Sequence, residues 1–274
     1  MVIDSHQHFW IYDSVRDSWI NDEMSVLKRD FLPTDLAPVL KEHGIDGCIS
    51  VQADQSENET LFLLELAGKN ECVKGVVGWV DLKSNNLADR LAHFSSFPKL
   101  KGFRHIIQGE KPGFMLDDKL IDGVRKLKEF GFTYDLLIYH HQLTEALEFL
   151  SRTDGVRIVI DHLAKPSIRT REKTHWDLNT AAAGSFSNVF CKLSGMVTEA
   201  NWHRWTKEEF FPYMDEVFEI FGPGRIMYGS DWPVCLLAGQ YVEQLGIVTD
   251  YLSRLSENEK GLVMGINAKT FYNL

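Results

Sequence analysis

Residues 156–162 read Val-Arg-Ile-Val-Ile-Asp-His. An almost unbroken apolar run of this length predicts a strand buried on both faces, as in a parallel sheet covered by helices. It ends abruptly in two titratable residues, Asp161 and His162. Similar runs recur along the chain. They lie at 2–6, 45–53 (IDGCISVQA), 73–80 (VKGVVGWV) and 100–106 (LKGFRHI). They continue at 133–139 (TYDLLIY), 188–194 (NVFCKLS) and 225–230 (RIMYGS).

Amphipathic segments separate these runs. Helical spacing and end signals predict helices over 33–43, 56–69, 86–97, 117–130, 142–151, 174–185, 208–221, 241–254 and 257–271. Strand starts fall roughly 25 to 45 residues apart, the spacing of repeated βαβ crossovers. Eight strand–helix units in one chain predict an α/β fold, a (β/α)8 TIM barrel forming a single domain over residues 1–274. The alternative is a doubly wound open sheet. That fold would usually carry a G-x-G-x-x-G turn after an early strand, and the sequence has none.

Composition narrows the function. The chain has 274 residues, 44% hydrophobic and 25% charged, with a formal net charge of −10. These are the fractions of a globular protein with a full core, and the acidic balance speaks against nucleic-acid or anionic-membrane binding. No apolar run reaches the 18 or so residues of a membrane span, and Asp4 stands where a signal peptide would be apolar. The four cysteines (Cys48, Cys72, Cys191 and Cys235) are far apart in sequence and form no C-x-x-C pair. They are expected to be reduced and mostly buried, in a cytoplasmic protein.

In a (β/α)8 barrel the active site lies at the C-terminal ends of the strands. Polar residues gather there. The predicted strands end in His6-Gln7-His8, Gln52, Trp79 with Asp81, Arg104 with His105, and Tyr139 followed by His140 and His141. The later ones end in Asp161-His162, Lys192 with Ser194, and Asp231-Trp232. His6 and His8, two apart on a strand, face one side and could share a metal ion. Taken alone, the pair is as readily two histidines bonded within a turn. Asp231 shifts that balance. Barrel closure sets the last strand beside the first, so this carboxylate comes close to both imidazoles as ligand, general base or both. Arg104, on an apolar strand, is either a buried ion-pair partner or a cation for a substrate oxygen. His162 is a capping histidine or a catalytic one. Lys192 and Ser194 alternate and could both point inward. Gln52, Trp79 and Tyr139 read as pocket walls. The pair Trp202 and Trp205 suits either loop packing or a lid.

The segments IDSHQHFW, VQA, GWVDL, KGFRH, VIDHLAKP, CKLSG and MYGSDWPV together resemble the amidohydrolase-superfamily sugar lactonases. That group includes L-fuconolactonase, L-rhamnonolactonase and 2-pyrone-4,6-dicarboxylate lactonase. The resemblance implies a barrel hydrolase that opens a lactone ring, with a sugar aldonolactone as the small-molecule substrate. It implies Asp231 as general base, with His162 and Arg104 at the substrate carbonyl. His6 and His8 would serve the metal or the substrate, and Gln52, Trp79, Tyr139, Lys192 and Ser194 the hydroxylated ring. One divalent metal, zinc, on His6, His8 and Asp231 is expected, although some relatives work without metal. A bridging lysine for a second ion is absent from strands 4 and 5, since Lys101 stands at the wrong end. Two other readings share the residues: a metal-dependent decarboxylase of the same superfamily, and a non-catalytic barrel that binds sugar acids.

Overall fold

The computed structural model describes residues 1–173 and 175–274. Strand β1 (Ile3–Gln7) is followed by β2 (Gly47–Val51), β3 (Val73–Gly78), β4 (Leu100–His105) and β5 (Thr133–Leu136). Then come β6 (Ile158–Ile160), β7 (Val189–Leu193) and β8 (Ile226–Tyr228). They form one eight-stranded sheet in sequence order. Every neighbouring pair is parallel. Helices cross between them: α1 (Pro33–Glu42), α2 (Glu57–Lys69), α3 (Leu87–Phe94) and α4 (Asp118–Leu127). The outer layer continues with α5 (Leu143–Arg152), α6 (Trp176–Gly184), α7 (Phe211–Phe221) and α8 (Tyr241–Leu252). No described helix is long and apolar enough to cross a membrane.

The barrel closes just beyond the ends of β1 and β8. Asp231 donates its backbone N–H to the carbonyl of His6 at 2.8 Å, and His8 donates its own to Trp232 at 2.7 Å. Gln7 and Trp232 form a parallel bridge there. The seam therefore lies at the end of the barrel where the sequence places the site.

The apolar interior has two parts. Between sheet and helices, alternate strand residues such as Val76, Phe103, Tyr134 and Ile158 pack against the inward faces of the helices. Inside the barrel, Ile3, Ile49, Val51, Val77, Val159 and Met227 form a smaller cluster, plugged by Phe271 and Tyr272. Register pairs Asp135 with Val159 and Lys192 with Met227. Paired residues share a face, so Asp135 and Lys192 also point inward. A charged layer thus lies against the apolar plug.

Several elements differ from expectation in extent. Strand 6 covers Ile158–Ile160 rather than 156–162, and strand 5 stops at Leu136, before Tyr139. The expected helix over 257–271 is two short helices, α9 (Glu257–Gly261) and α10 (Asn267–Phe271), joined by a wider turn. Gly265 explains the break: a Cβ there would stand 2.1 Å from the carbonyl oxygen of Met1, so backbone meets backbone at that point. The expected start of helix 6 at Thr174 lies outside the described residues.

Candidate active site

Three imidazoles and one carboxylate converge at the seam. His6 Nε2 and His8 Nε2 are 3.2 Å apart. Asp231 Oδ1 lies 3.4 Å from His8 Nε2, 3.8 Å from His6 Nε2 and 3.9 Å from His162 Nε2. Each group is buried. The far side of each ring is held. His8 donates its Nδ1–H to the carbonyl of Val51 at 2.8 Å, which leaves its Nε2 lone pair facing the cluster. His162 Nδ1 is 2.8 Å from Ser194 Oγ. His6 Nδ1 lies 3.1 Å from the Lys192 ammonium and 3.3 Å from Asp161 Oδ1.

Burial sets the charge states. It holds the His6 imidazole well below its ordinary range, against the opposing pull of Asp161. His162 is pushed down to about 4 by burial, against Asp231. Both rings are neutral at pH 7, with lone pairs to offer. Burial alone would raise the Asp231 carboxyl. In the acidic range where this carboxyl titrates, the protonated His162, a bond from protonated His8 and the field of His6 outweigh it and hold it well below the usual carboxylate range.

Beneath this cluster is a set of paired charges, of which the sequence reading singled out Arg104, Lys192 and Asp161 but not Asp135. Lys192 bridges Asp135 at 2.5 Å and Asp161 at 3.0 Å, and all three are fully buried. Arg104 bonds Asp161 at 3.1 Å and the backbone carbonyl of Gln52. Tyr272 donates its hydroxyl to Asp135 at 2.8 Å. Unpaired charges here would cost several kcal/mol each, and each has a partner. Asp161 is held far below its ordinary range. Burial would raise it, but Lys192, His6 and Arg104 prevail. Asp161 stands in the quoted run beside His162, where it reads only as a strand end; Asp135 sits in TYDLLIY as one polar residue among apolar ones.

A cavity of about 580 Å³ opens above the cluster. His8, Arg104, His162 and Asp231 face it, and Tyr139 and Trp202 form part of its wall. Four residues expected to contact the substrate do not reach it. Gln52, Lys192 and Ser194 have no exposed surface: Gln52 and Ser194 sit below the rim and bond Arg104 and His162, which face the cavity, and Lys192 lies deeper against His6, Asp135 and Asp161. Trp79 turns aside and directs its indole N–H to His105 at 3.3 Å. The tryptophan pair separates: Trp202 faces the cavity, while Trp205 meets Phe210 edge to face and donates to the Ala238 carbonyl at 2.7 Å. Two further cavity residues, Lys165 and Glu199, carried no signal of their own in the sequence. The four cysteines are free, and all but Cys72 are buried.

The donor set fits a divalent metal. Tetrahedral nitrogen ligands about 2.0–2.1 Å from one ion stand about 3.3 Å apart. The His6–His8 separation of 3.2 Å matches that spacing. Among the described residues, two triads have ligand atoms close enough to share an ion: His6, His8 and Asp231, and His6, Asp161 and His162. They share His6, and Asp161 in the second is already paired with Lys192 and Arg104. The first triad is the better site.

The fold and this centre define a barrel of the histidine–carboxylate hydrolase type. The amidohydrolase family model matches residues 3–274, and the chain belongs to that family. An L-fucono-1,5-lactonase of Burkholderia multivorans is 38% identical over 284 aligned residues, covering 99% of this chain and 96% of that one. An L-fucono-1,5-lactonase of Burkholderia ambifaria is 34% identical, covering 99% of this chain and 95% of that one. A crystal structure of a Burkholderia multivorans amidohydrolase with bound zinc superposes with a TM-score of 0.97 at 38% identity, covering 100% of this chain and 99% of that chain.

Proposed function

We propose that this chain is a lactonase that opens the ring of a sugar lactone by adding water, at the centre made by His6, His8, His162 and Asp231. The observation that carries this is the convergence of three imidazole nitrogens and one carboxylate oxygen on the floor of a cavity sized for a small ligand. The sugar-lactone assignment is supported by two relatives above 30% identity that match nearly the full chain.

His6, His8 and Asp231, with His162 beside them, would hold one zinc ion, whose Lewis acidity at the attacked carbonyl is the chemistry such an ion supplies. The protein groups do the rest. Asp231 accepts a proton from the attacking water. The water oxygen bonds to the ring carbonyl carbon, and negative charge collects on the carbonyl oxygen. Arg104, held by Asp161 and Gln52, keeps its positive charge at the cavity floor and stabilises that oxygen. One such donor is commonly worth about 3 kcal/mol. The bond to the ring oxygen then breaks, and the proton on Asp231 passes to it. The product is an open-chain hydroxy acid. Ser194 keeps the His162 ring turned so that Nε2 faces the reaction.

A panel of aldono-1,4- and aldono-1,5-lactones with a pH indicator tests the proposal, since each turnover releases one proton. Faster acid release than the uncatalysed rate on at least one sugar lactone is expected. Acid release at the uncatalysed rate on the whole panel overturns it.

A further inference from the structure

Residues His162, Leu163, Ala164 and Lys165 have φ of +55°, +54°, +57° and +50°. None is glycine, and the left-handed region costs an ordinary residue about 1–2 kcal/mol. Together they make one left-handed turn, closed by the Lys165 N–H bonding the His162 carbonyl at 2.7 Å. Such a run persists only where its surroundings over-determine it. Here Trp176 donates its indole N–H to the Leu163 carbonyl at 2.7 Å, and His140 donates Nδ1–H to that of Lys165 at 2.9 Å. The outcome of this conformation is specific. The first and last side chains of the turn, His162 and Lys165, both face the cavity, while Leu163 and Ala164 are buried away from it.

Lys165 has a partner across the wall. Its ammonium is 3.8 Å from Glu199 Oε1 and 5.2 Å from the centre of the Tyr139 ring. At 3.8 Å the two charges attract but are beyond hydrogen-bond length. The side chains are only 15% and 22% exposed, so little water serves them. Ammonium donors and carboxylate acceptors thus stand side by side with hydrogen-bonding capacity to spare. A pair of adjacent hydroxyls meets both needs at once, accepting from the ammonium and donating to the carboxylate. The charge balance fits neutral hydroxyls better than a second carboxylate. Among the described residues facing the cavity, Lys165 is offset by Glu199 and Arg104 by Asp161.

We propose that Lys165, placed there by the left-handed turn at 162–165, and Glu199 are specificity-determining residues that read vicinal hydroxyls on the substrate ring. This deepens the lactonase reading and rests on it. The test compares kcat/KM for a hydroxylated aldono-1,5-lactone with that for δ-valerolactone, the same ring without hydroxyls, in wild type, Lys165→Met and Glu199→Gln. Each variant should lower kcat/KM about 30- to 100-fold on the hydroxylated lactone, mainly through KM, because the remaining partner is left unpaired. On δ-valerolactone each should stay within about threefold of wild type, since no hydroxyl is there to read. Equal losses on both lactones, or no loss on the hydroxylated one, overturn the proposal. Should Lys165→Met fail to fold, Glu199→Gln must show the same split by itself. Wild type that hydrolyses neither lactone overturns the lactonase reading, and this proposal with it.

Discussion

Asp231 donates its backbone N–H to the carbonyl of His6, and its side-chain oxygen lies 3.8 Å from the Nε2 of that same residue. One junction therefore closes the barrel and assembles the centre. Any change that loosens the seam separates the carboxylate from the imidazoles, so stability and chemistry are linked at this point.

Arg104 serves both. Arg104→Met should lower Tm by several degrees, because it removes one cation from buried Asp161 and leaves the Gln52 carbonyl without its donor. Breaking such a pair commonly costs about 3 kcal/mol or more. Activity in the folded fraction should fall about 100-fold as well. Arg104→Lys should recover little, since a point charge cannot span Asp161 and the Gln52 carbonyl together. Thermal melts and kcat/KM on the same preparations check both halves. An unchanged Tm would refute the structural share of the role.

Gly195 is a more indirect lever. It has φ of +60°, and a Cβ there would stand 2.5 Å from His162 Nδ1. Gly195→Ala should push His162 off Ser194 and lower kcat about 100-fold or more, while Ser194→Ala, which only removes the bond, should cost about 10-fold. The order of the two losses is the readout. A Gly195→Ala enzyme as active as wild type would show that the ring position is unimportant.

The barrel itself was legible from apolar runs such as VRIVIDH, because a buried parallel strand needs little but such a run. The site was legible where residue type and strand end coincide, as at His6, His8 and Asp231. What escaped has physical reasons. The strand at 156–162 is cut short at Ile160 because the chain enters a left-handed turn at His162. No propensity scale assigns that turn to Leu, Ala and Lys. The same turn is what carries Lys165 to the cavity, so that residue was missed with it. Gln52 read as a pocket wall and Lys192 as an inward residue for the substrate ring. The carboxylates that neutralise Lys192, Asp161 and Asp135, and the Arg104 that bonds Gln52, come from other strand–loop units, and only the assembled barrel brings them together.

One divalent ion per chain is expected. Elemental analysis of protein purified without chelator should give about one equivalent of zinc, and His8→Ala should reduce it sharply. Two equivalents would mean that the triad with Asp161 also binds, against its pairing with Lys192 and Arg104.

Stability should carry a signature of Glu59. Burial pushes this carboxyl up to about 7, against the bond it accepts from the Ala53 N–H. A carboxyl raised in the folded state favours folding at pH below its unfolded value near 4.3. That contribution is lost as pH rises through about 7, where the buried group must ionise. Glu59→Gln removes the ionisation. The variant should therefore gain on wild type between pH 5.5 and 8, by about 2 kcal/mol. Parallel melting curves for the two proteins across this range would contradict the assignment.

The measurement that bears most directly on the account is kcat for hydrolysis of an aldono-1,5-lactone by wild type and by Asp231→Asn, with circular dichroism to confirm that both are folded. Rapid ring opening by wild type is expected, with a loss of about 100-fold or more in the variant, since a general base is commonly worth that much. A folded Asp231→Asn enzyme that keeps more than about a tenth of the wild-type rate would contradict the role of this carboxylate.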